Sequence, residues 1–301
     1  MNATTYGTAE RTREQLELLI READEIPTIP ESLLQIMRVL DDQDSGPSDL
    51  ARAVRLDAPL MAKILRVANS PYYKNAGSIS DINRCVAVLG YRTVRQMTLT
   101  ISVATSLVAA VSETGGRMDY RELWRHSVVT GAMAKEIASW CGHREPEEVF
   151  TSGLMHDIGK FILEIRDAYR YDRLIAARAE TGRPLTELEL EEYGFDHAQI
   201  GEAFGRVWTL PERMSQAIAM HHRITLGELP ADESAACHIV RLADYLANTM
   251  VPTGSDLGFD PAFSDPASLC AAVGIPVSDL EARLPELRDA VYLAADYLDL
   301  D

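Results

Sequence analysis

Seven histidines stand in the 301-residue chain, and their neighbours matter more than their number. His156 precedes Asp157 in Leu154-Met155-His156-Asp157-Ile158-Gly159-Lys160, an apolar stretch of helical period. His221 and His222 close Ser215-Gln216-Ala217-Ile218-Ala219-Met220, and Asp244 lies in Val240-Arg241-Leu242-Ala243-Asp244-Tyr245-Leu246. His126 follows Trp124-Arg125, with Glu122 four residues earlier and so on the same helix face. Polar groups in apolar helices are costly unless satisfied, and a carboxylate costs more than an imidazole. A shared metal cluster would satisfy several at once, because imidazole nitrogen and carboxylate oxygen both ligate Zn, Fe and Mn. The dyad suits a bridging role, its histidine reaching one ion while Asp157 spans two. Two ions about 3.5–4 Å apart could polarise a phosphodiester and generate hydroxide at neutral pH. Lys160, one turn past Asp157, could then neutralise a phosphate oxygen.

Each residue alone has a simpler reading. His126 or His197 would be a core histidine bonded to backbone, Glu122 a solvated helix residue and Lys160 a surface cation. Asp244 would pair with Arg241 or cap a neighbouring helix, and His143, between Gly142 and Arg144, would be exposed and idle. His238, six residues before Asp244, faces elsewhere on its helix. Together, the His–Asp dyad, the His–His dyad and an isolated core aspartate make coincidence the weaker account.

The elements that must position these groups are helical. Leu16, Leu19, Ile20 and Ala23 recur at i, i+3, i+4, i+7, and Pro27 and Pro30 break the chain before a helix bearing Leu33, Leu34, Ile36, Met37 and Leu40. Helical segments are expected near 48–56, 59–69, 82–89 and 91–112, with Asn69-Ser70-Pro71 a helix stop. After the linker Glu113-Thr114-Gly115-Gly116-Arg117 they resume near 119–140, 146–165, 167–181, 185–193, 196–207, 211–222 and 232–250. A Pro/Gly/Asp-rich loop covers 252–266, and short helices over 279–284 and 287–298 close the chain. Alternating β-branched runs joined by hairpin turns are missing. The expectation is an all-α protein in two lobes: a helical N-terminal lobe over 1–112, a site-bearing lobe over 117–251 and a C-terminal extension over 252–301.

Composition narrows the function classes. With 47% hydrophobic residues the chain can build a core, and a net charge of −17 argues against wholesale binding to nucleic acid or an anionic membrane. Residues 51–100 run the other way, with eight cations (Arg52, Arg55, Lys63, Arg66, Lys74, Arg84, Arg92, Arg95) against Asp57 and Asp81. That surplus reads as a helix-covering or partner-binding surface. The helix–turn–helix from Asp49 to Asn69 also admits a DNA-binding reading. No secretory signal is visible, the uncharged run Gln96–Ser112 reads as a core helix, and four scattered cysteines read as reduced thiols, so the expectation is a cytoplasmic protein.

The order His126, His156-Asp157, Asp244 resembles the H…HD…D motif of the HD superfamily of metal-dependent phosphohydrolases. His197 and the pair His221-His222 match the fuller set of the HD-GYP branch, which by resemblance makes Glu122 an extra metal ligand and Lys160 a phosphate contact. Arg223 to Pro230 contains no Gly-Tyr-Pro, a departure from that branch. Asp57-Ala58-Pro59-Leu60, Lys63 to Ser70, Ala87-Val88-Leu89-Gly90 and Trp208-Thr209-Leu210-Pro211 are similar to the HDOD domain, an HD-related output domain of bacterial signalling proteins. The likeness spans roughly residues 26–250. HDOD proteins commonly lack part of the metal set and act as non-catalytic regulators, whereas every ligand position is retained here. The resemblance therefore implies a bacterial signalling protein with two or three divalent transition-metal ions, Fe or Mn ahead of Zn. Glu122, His126, His156, Asp157, His197, His221, His222 and Asp244 would be the ligands, and Asp157 and Lys160 the catalytic pair. The N-terminal lobe would face other signalling proteins, and a phosphoester or nucleotide would be the ligand. A non-catalytic scaffold and, behind it, a helix-turn-helix regulator are the competing readings.

Overall fold

The computed structural model describes residues 14–22, 45–70, 79–222, 231–250 and 265–294, with Ile26, Gln35, Ile36, Arg38, Val39, Asp42 and Tyr73. The loop expected over 252–266 falls almost wholly outside them, as do Leu33, Leu34, Met37, Leu40, Pro71, Lys74 and the end of the last expected helix. Residues 14–22 are helical. Fourteen further helices follow, with no strand among the described residues. The first four are α1 (Pro47–Arg55), α2 (Ala58–Ala68), α3 (Ile82–Leu89) and α4 (Tyr91–Ser112). The site is carried by α5 (Tyr120–Trp140), α6 (Pro146–Met155), α7 (Ile158–Thr181), α8 (Leu185–Tyr193), α9 (His197–Val207), α10 (Glu212–Met220) and α11 (Ala231–Met250). The last three are α12 (Pro266–Val273), α13 (Val277–Ala282) and α14 (Leu284–Leu293). The chain is all-α, as the periodicity requires.

Local chemistry explains many of the boundaries. Asp57 accepts from Leu60 N, Asp81 from Asn83 N and Arg84 N, Asp119 from Glu122 N, Asp196 from Gln199 N and Asp265 from Ala267 N and Ser268 N, so five of these helices start on an aspartate cap. Asn69 ends α2; its side chain donates to Leu65 O and Ile79 O and accepts from Ile79 N at 2.8 Å, tying the helix stop to the start of the next segment.

One apolar cluster runs from Leu16 and the α1–α4 helices into α5–α10, so the two halves of the chain share a core. A second joins α5 and α6 to α11–α14. Helix α4 is the one described helix long and apolar enough to cross a membrane. Its residues Val94, Met97, Ile101, Ala104, Leu107 and Val111 are instead buried, and it packs on α2, α3, α6 and α7. The hydroxyls of Thr98, Ser106 and Ser112 bond back to Val94 O, Ser102 O and Ala109 O, whereas those of Thr100, Ser102 and Thr105 are buried without a hydrogen-bond partner. Cys85, Cys237 and Cys270 are buried, Cys141 is exposed, and all four are free thiols.

The linker between α4 and α5 is clamped onto α7. Arg117 N donates to both oxygens of Asp172, and Gly116 packs against the buried carboxyl of Glu164, where a Cβ would overlap Oε1. Glu164 Oε2 has no hydrogen-bond partner, and Thr114 Oγ1 stands 3.5 Å from Oε1. Burial and the neighbouring Asp172 raise the Glu164 carboxyl from 4.5 to about 7. A raised acid binds its proton more tightly in the fold than in the unfolded chain, so its contribution to stability falls as pH rises from 4.5 through about 7. Glu164→Gln should therefore out-melt the wild type by a margin that widens across that window and is constant above it. Melting temperatures measured against pH check this, and a margin independent of pH would contradict it.

Candidate metal centre

The functional side chains sit mostly at helix ends. His156 and Asp157 are not inside a helix, as their apolar setting suggested. Helix α6 ends at Met155 and α7 begins at Ile158, leaving the dyad as a two-residue junction with Asp157 at φ −97°, ψ 13°. The break has a use. The last carbonyls of a helix lack backbone donors, and Gly153 O accepts from His156 Nδ1 at 2.7 Å. The same device recurs at the end of α10, where Ile218 O accepts from His221 Nδ1 at 2.6 Å. Each bond places the ring proton on Nδ1 and leaves Nε2 as a lone pair. His197, the first residue of α9, is held by Glu189 on α8, whose Oε2 accepts from both His197 N (2.8 Å) and Nδ1 (2.6 Å). Tyr171 of α7 donates to the other Glu189 oxygen at 2.8 Å. His126 comes from the second turn of α5, and Asp244 from α11, its Oδ1 accepting from Asn248 at 2.9 Å.

These elements converge on Asp157, which is 1% exposed. Around Oδ2 stand His156 Nε2 at 3.3 Å and His126 Nε2 at 3.8 Å; Asp244 Oδ1 is 2.9 Å from the His126 nitrogen and 3.6 Å from that of His156. Around Oδ1 stand the Nε2 atoms of His221 at 3.4 Å and His197 at 3.5 Å, with His222 Nε2 2.8 Å from His197 Nε2. The carboxylate thus divides two groups of potential ligands, His126–His156–Asp157 and Asp157–His197–His221–His222, each with donor atoms within 4.8 Å of one another. Ligands bonded at about 2.0–2.2 Å to one ion lie roughly 3–3.5 Å apart, the spacing seen here.

The unsatisfied atoms make the same point. His156 Nε2, His221 Nε2 and Asp157 Oδ1 are buried and have no hydrogen-bond partner. Such atoms cost about 1–3 kcal/mol each, and they border the two positions that cations would take, His156 on one side of the carboxylate and His221 and Oδ1 on the other. The ionisation states suit it. Burial would raise Asp157 and Asp244, but the adjacent imidazoles, and for Asp157 also Lys160, hold both well below the usual carboxylate range. Burial pushes His221 down to about 4 and His222 well below its ordinary value, so both are neutral near pH 7. His156 is opposed by burial yet raised to about 10 by Asp157 and Asp244; it would shed that proton on ligating an ion. The residues present fit a metal.

Lys160 is no surface cation. It is 1% exposed, and its Nζ lies 2.6 Å from Asp157 Oδ2. Glu122 is half-buried and accepts from Arg125 Nε and Nη2 at 3.0 and 2.6 Å; it belongs to neither ligand group. His143 is half-buried rather than exposed and idle, since its Nδ1 accepts from Glu145 N at 3.2 Å, tying the turn before α6. Asp244 does not pair with Arg241, its Oδ1 being taken by His126, His156 and Asn248. Glu189 and Tyr171 went unseen in the sequence. Glu189 sits among four other acidic residues between 187 and 196, and only the packing of α8 on α7 singles it out for burial. Gly159 was likewise unexplained: a Cβ there would overlap the His197 carbonyl, so glycine is what lets α9 bring its histidine against α7.

Residues 26–224 match the HDOD domain family. An uncharacterized protein of Treponema pallidum (strain Nichols) is 25% identical over 202 residues, 67% of this chain; the chain spans only 38% of that relative's length. Among solved structures, an HDOD domain protein of unknown function from Geobacter sulfurreducens superposes with a TM-score of 0.73 at 26% identity, over 94% of this chain and 98% of its own. A structure from Shewanella amazonensis SB2B, described as a candidate phosphohydrolase, shares the fold with a TM-score of 0.69 at 22% identity, over 93% and 97%.

Two substitutions test how the centre is built. Gly159→Ala should destabilise by roughly 3 kcal/mol and lower metal retention, as read by urea melts and elemental analysis. Glu189→Gln removes the carboxylate that orients His197 and should weaken metal affinity on the order of 10–100-fold, with little change in helix content by circular dichroism. Unaltered affinity would mean that Glu189 serves packing alone.

Proposed function

The chain belongs to the HDOD domain family, and we propose that it is a bacterial signalling protein whose His/Asp centre binds two divalent transition-metal ions and turns over a phosphoester. The observation that carries this is the Asp157 carboxylate, with a separate group of imidazoles on each of its oxygens. His126, His156 and Asp244 would hold one ion, His197, His221 and His222 the other, and Asp157 would bridge them. Mixed nitrogen and oxygen ligands suit Fe or Mn and admit Zn. Bound there, such ions would supply Lewis-acid polarisation of a phosphoryl oxygen and a water of lowered pKa. Asp157 and Asp244 supply the negative charge that holds the ions. Lys160 fixes the Asp157 carboxylate, and in this reading would turn from it to neutralise a phosphate oxygen. Glu122, turned toward Arg125, would reach a third ion only by giving up that pair.

A non-catalytic reading is favoured by one observation. Asp157 and Lys160 are each 1% exposed and His126 2%, so the ions could serve as a clasp among α5, α7, α9, α10 and α11. In either case the N-terminal half is the surface we assign to other signalling proteins. Arg52 and Arg55 are exposed beside Leu56, which is 71% exposed, and Arg84 and Val88 are exposed on the adjacent α3.

Elemental analysis of protein purified without chelator should find close to two ions per chain, and Asp157→Asn should lose both. Turnover of bis(p-nitrophenyl) phosphate by the loaded wild type, abolished in Asp157→Asn, supports the hydrolase. Full loading without turnover of diesters, monoesters or nucleotides supports the clasp. Absence of bound metal after addition of Mn(II), Fe(II) or Zn(II) would end both.

A further inference from the structure

Helix α11 carries polar residues beside its buried apolar face. Its Cys237, Ile239, Val240, Leu242, Ala243, Leu246 and Ala247 enter the second core cluster, whereas His238, Arg241, Asp244 and Asn248 follow one another at spacings of three and four. Asp244 and Asn248 are accounted for by the centre. Arg241 is not. It is only 7% exposed, and no carboxylate among the described residues lies within the 4.0 Å of an ion pair, nor does its guanidinium make a hydrogen bond to them. Burial lowers its pKa, with Asp244 and Cys237 opposing. One turn back, His238 Nδ1 is likewise buried without a hydrogen-bond partner.

A buried guanidinium with no carboxylate within ion-pair distance among the described residues is costly, and an anion that comes to meet it would relieve that cost. A guanidinium presents a planar fork of donors that matches two oxygens of a phosphate. Three residues of helix rise separate Arg241 from Asp244, about 4.5 Å. A phosphate held by Arg241 would therefore lie beside the carboxylate centre.

We propose that Arg241, with His238 behind it, is a phosphate-recognition site flanking the His/Asp centre, and that the ligand of this protein carries a phosphate group there. The inference rests on the metal reading in one respect: uncompensated Asp157 and Asp244 would repel the phosphate. What this adds to the phosphoester reading is a named recognition residue for the phosphate, since a guanidinium fork matches the two free oxygens of a monoester or a diester alike. The site is distinct from Lys160, whose ammonium is occupied by Asp157.

The test uses the full chain loaded with Mn(II), its metal content measured before each titration, and inorganic phosphate as the probe in calorimetry. Wild type should bind phosphate. Arg241→Gln should keep its metal and melt no lower than the wild type, while its phosphate affinity falls about tenfold or more. Arg241→Lys should restore part of the loss, and His238→Gln should weaken binding by a smaller factor. Loaded Arg241→Gln that binds phosphate as tightly as the wild type overturns the proposal. So does loaded wild type that binds no phosphate at millimolar concentration, an outcome needing no variant to fold. Failure of the wild type to take up Mn(II) contradicts the metal reading instead, and is recorded before phosphate is added.

Discussion

Everything near the centre is arranged around an ionised carboxylate sealed from water. Asp157 is 1% exposed, yet its surroundings hold it well below the usual carboxylate range. A lone buried carboxylate would take up a proton instead. Here Lys160 supplies one full charge at 2.6 Å, and four imidazole Nε2 atoms lie within 3.8 Å. One lysine does not use both oxygens. Oδ1 faces two lone-pair nitrogens and has no hydrogen bond, an arrangement that favours a cation on that side.

The fold is the means of assembling those nitrogens. Four helices, α5, α6, α9 and α10, deliver them, and all but α5 do so at a helix end rather than on a helix face. Ending α6 and α10 at the histidines frees Gly153 O and Ile218 O to fix the ring protons, so the polar groups a helix terminus leaves over become tautomer locks. For His197 the lock is a side chain, Glu189, itself held by Tyr171, so the chain of orientation runs back into α7. Gly159 then sets the distance, because α7 and α9 approach until nothing larger than hydrogen fits between them.

Much of this was legible in the residues. Helix positions followed from apolar period and from Asp, Pro and Gly at boundaries, and the His/Asp set stood out because ionisable groups are costly in apolar helices. What stayed hidden was the part fixed by tertiary contact. Periodicity runs unbroken through Leu154–Lys160, so the junction at the dyad could not be seen; it forms because His156 competes for a carbonyl. Glu189 looks like its acidic neighbours until α8 packs down. Lys160 reads as a surface cation until Asp157 is found beneath it. Arg241 and Asp244, three apart, look like an ion pair, and only the claim of His126, His156 and Asn248 on Asp244 Oδ1 separates them.

The central claim is that one carboxylate bridges two ions, and electron paramagnetic resonance of the Mn(II)-loaded chain addresses it directly. Ions sharing the Asp157 carboxylate should show the exchange-coupled spectrum of a Mn(II) pair. An isolated six-line signal at full loading would place the ions apart and contradict the account.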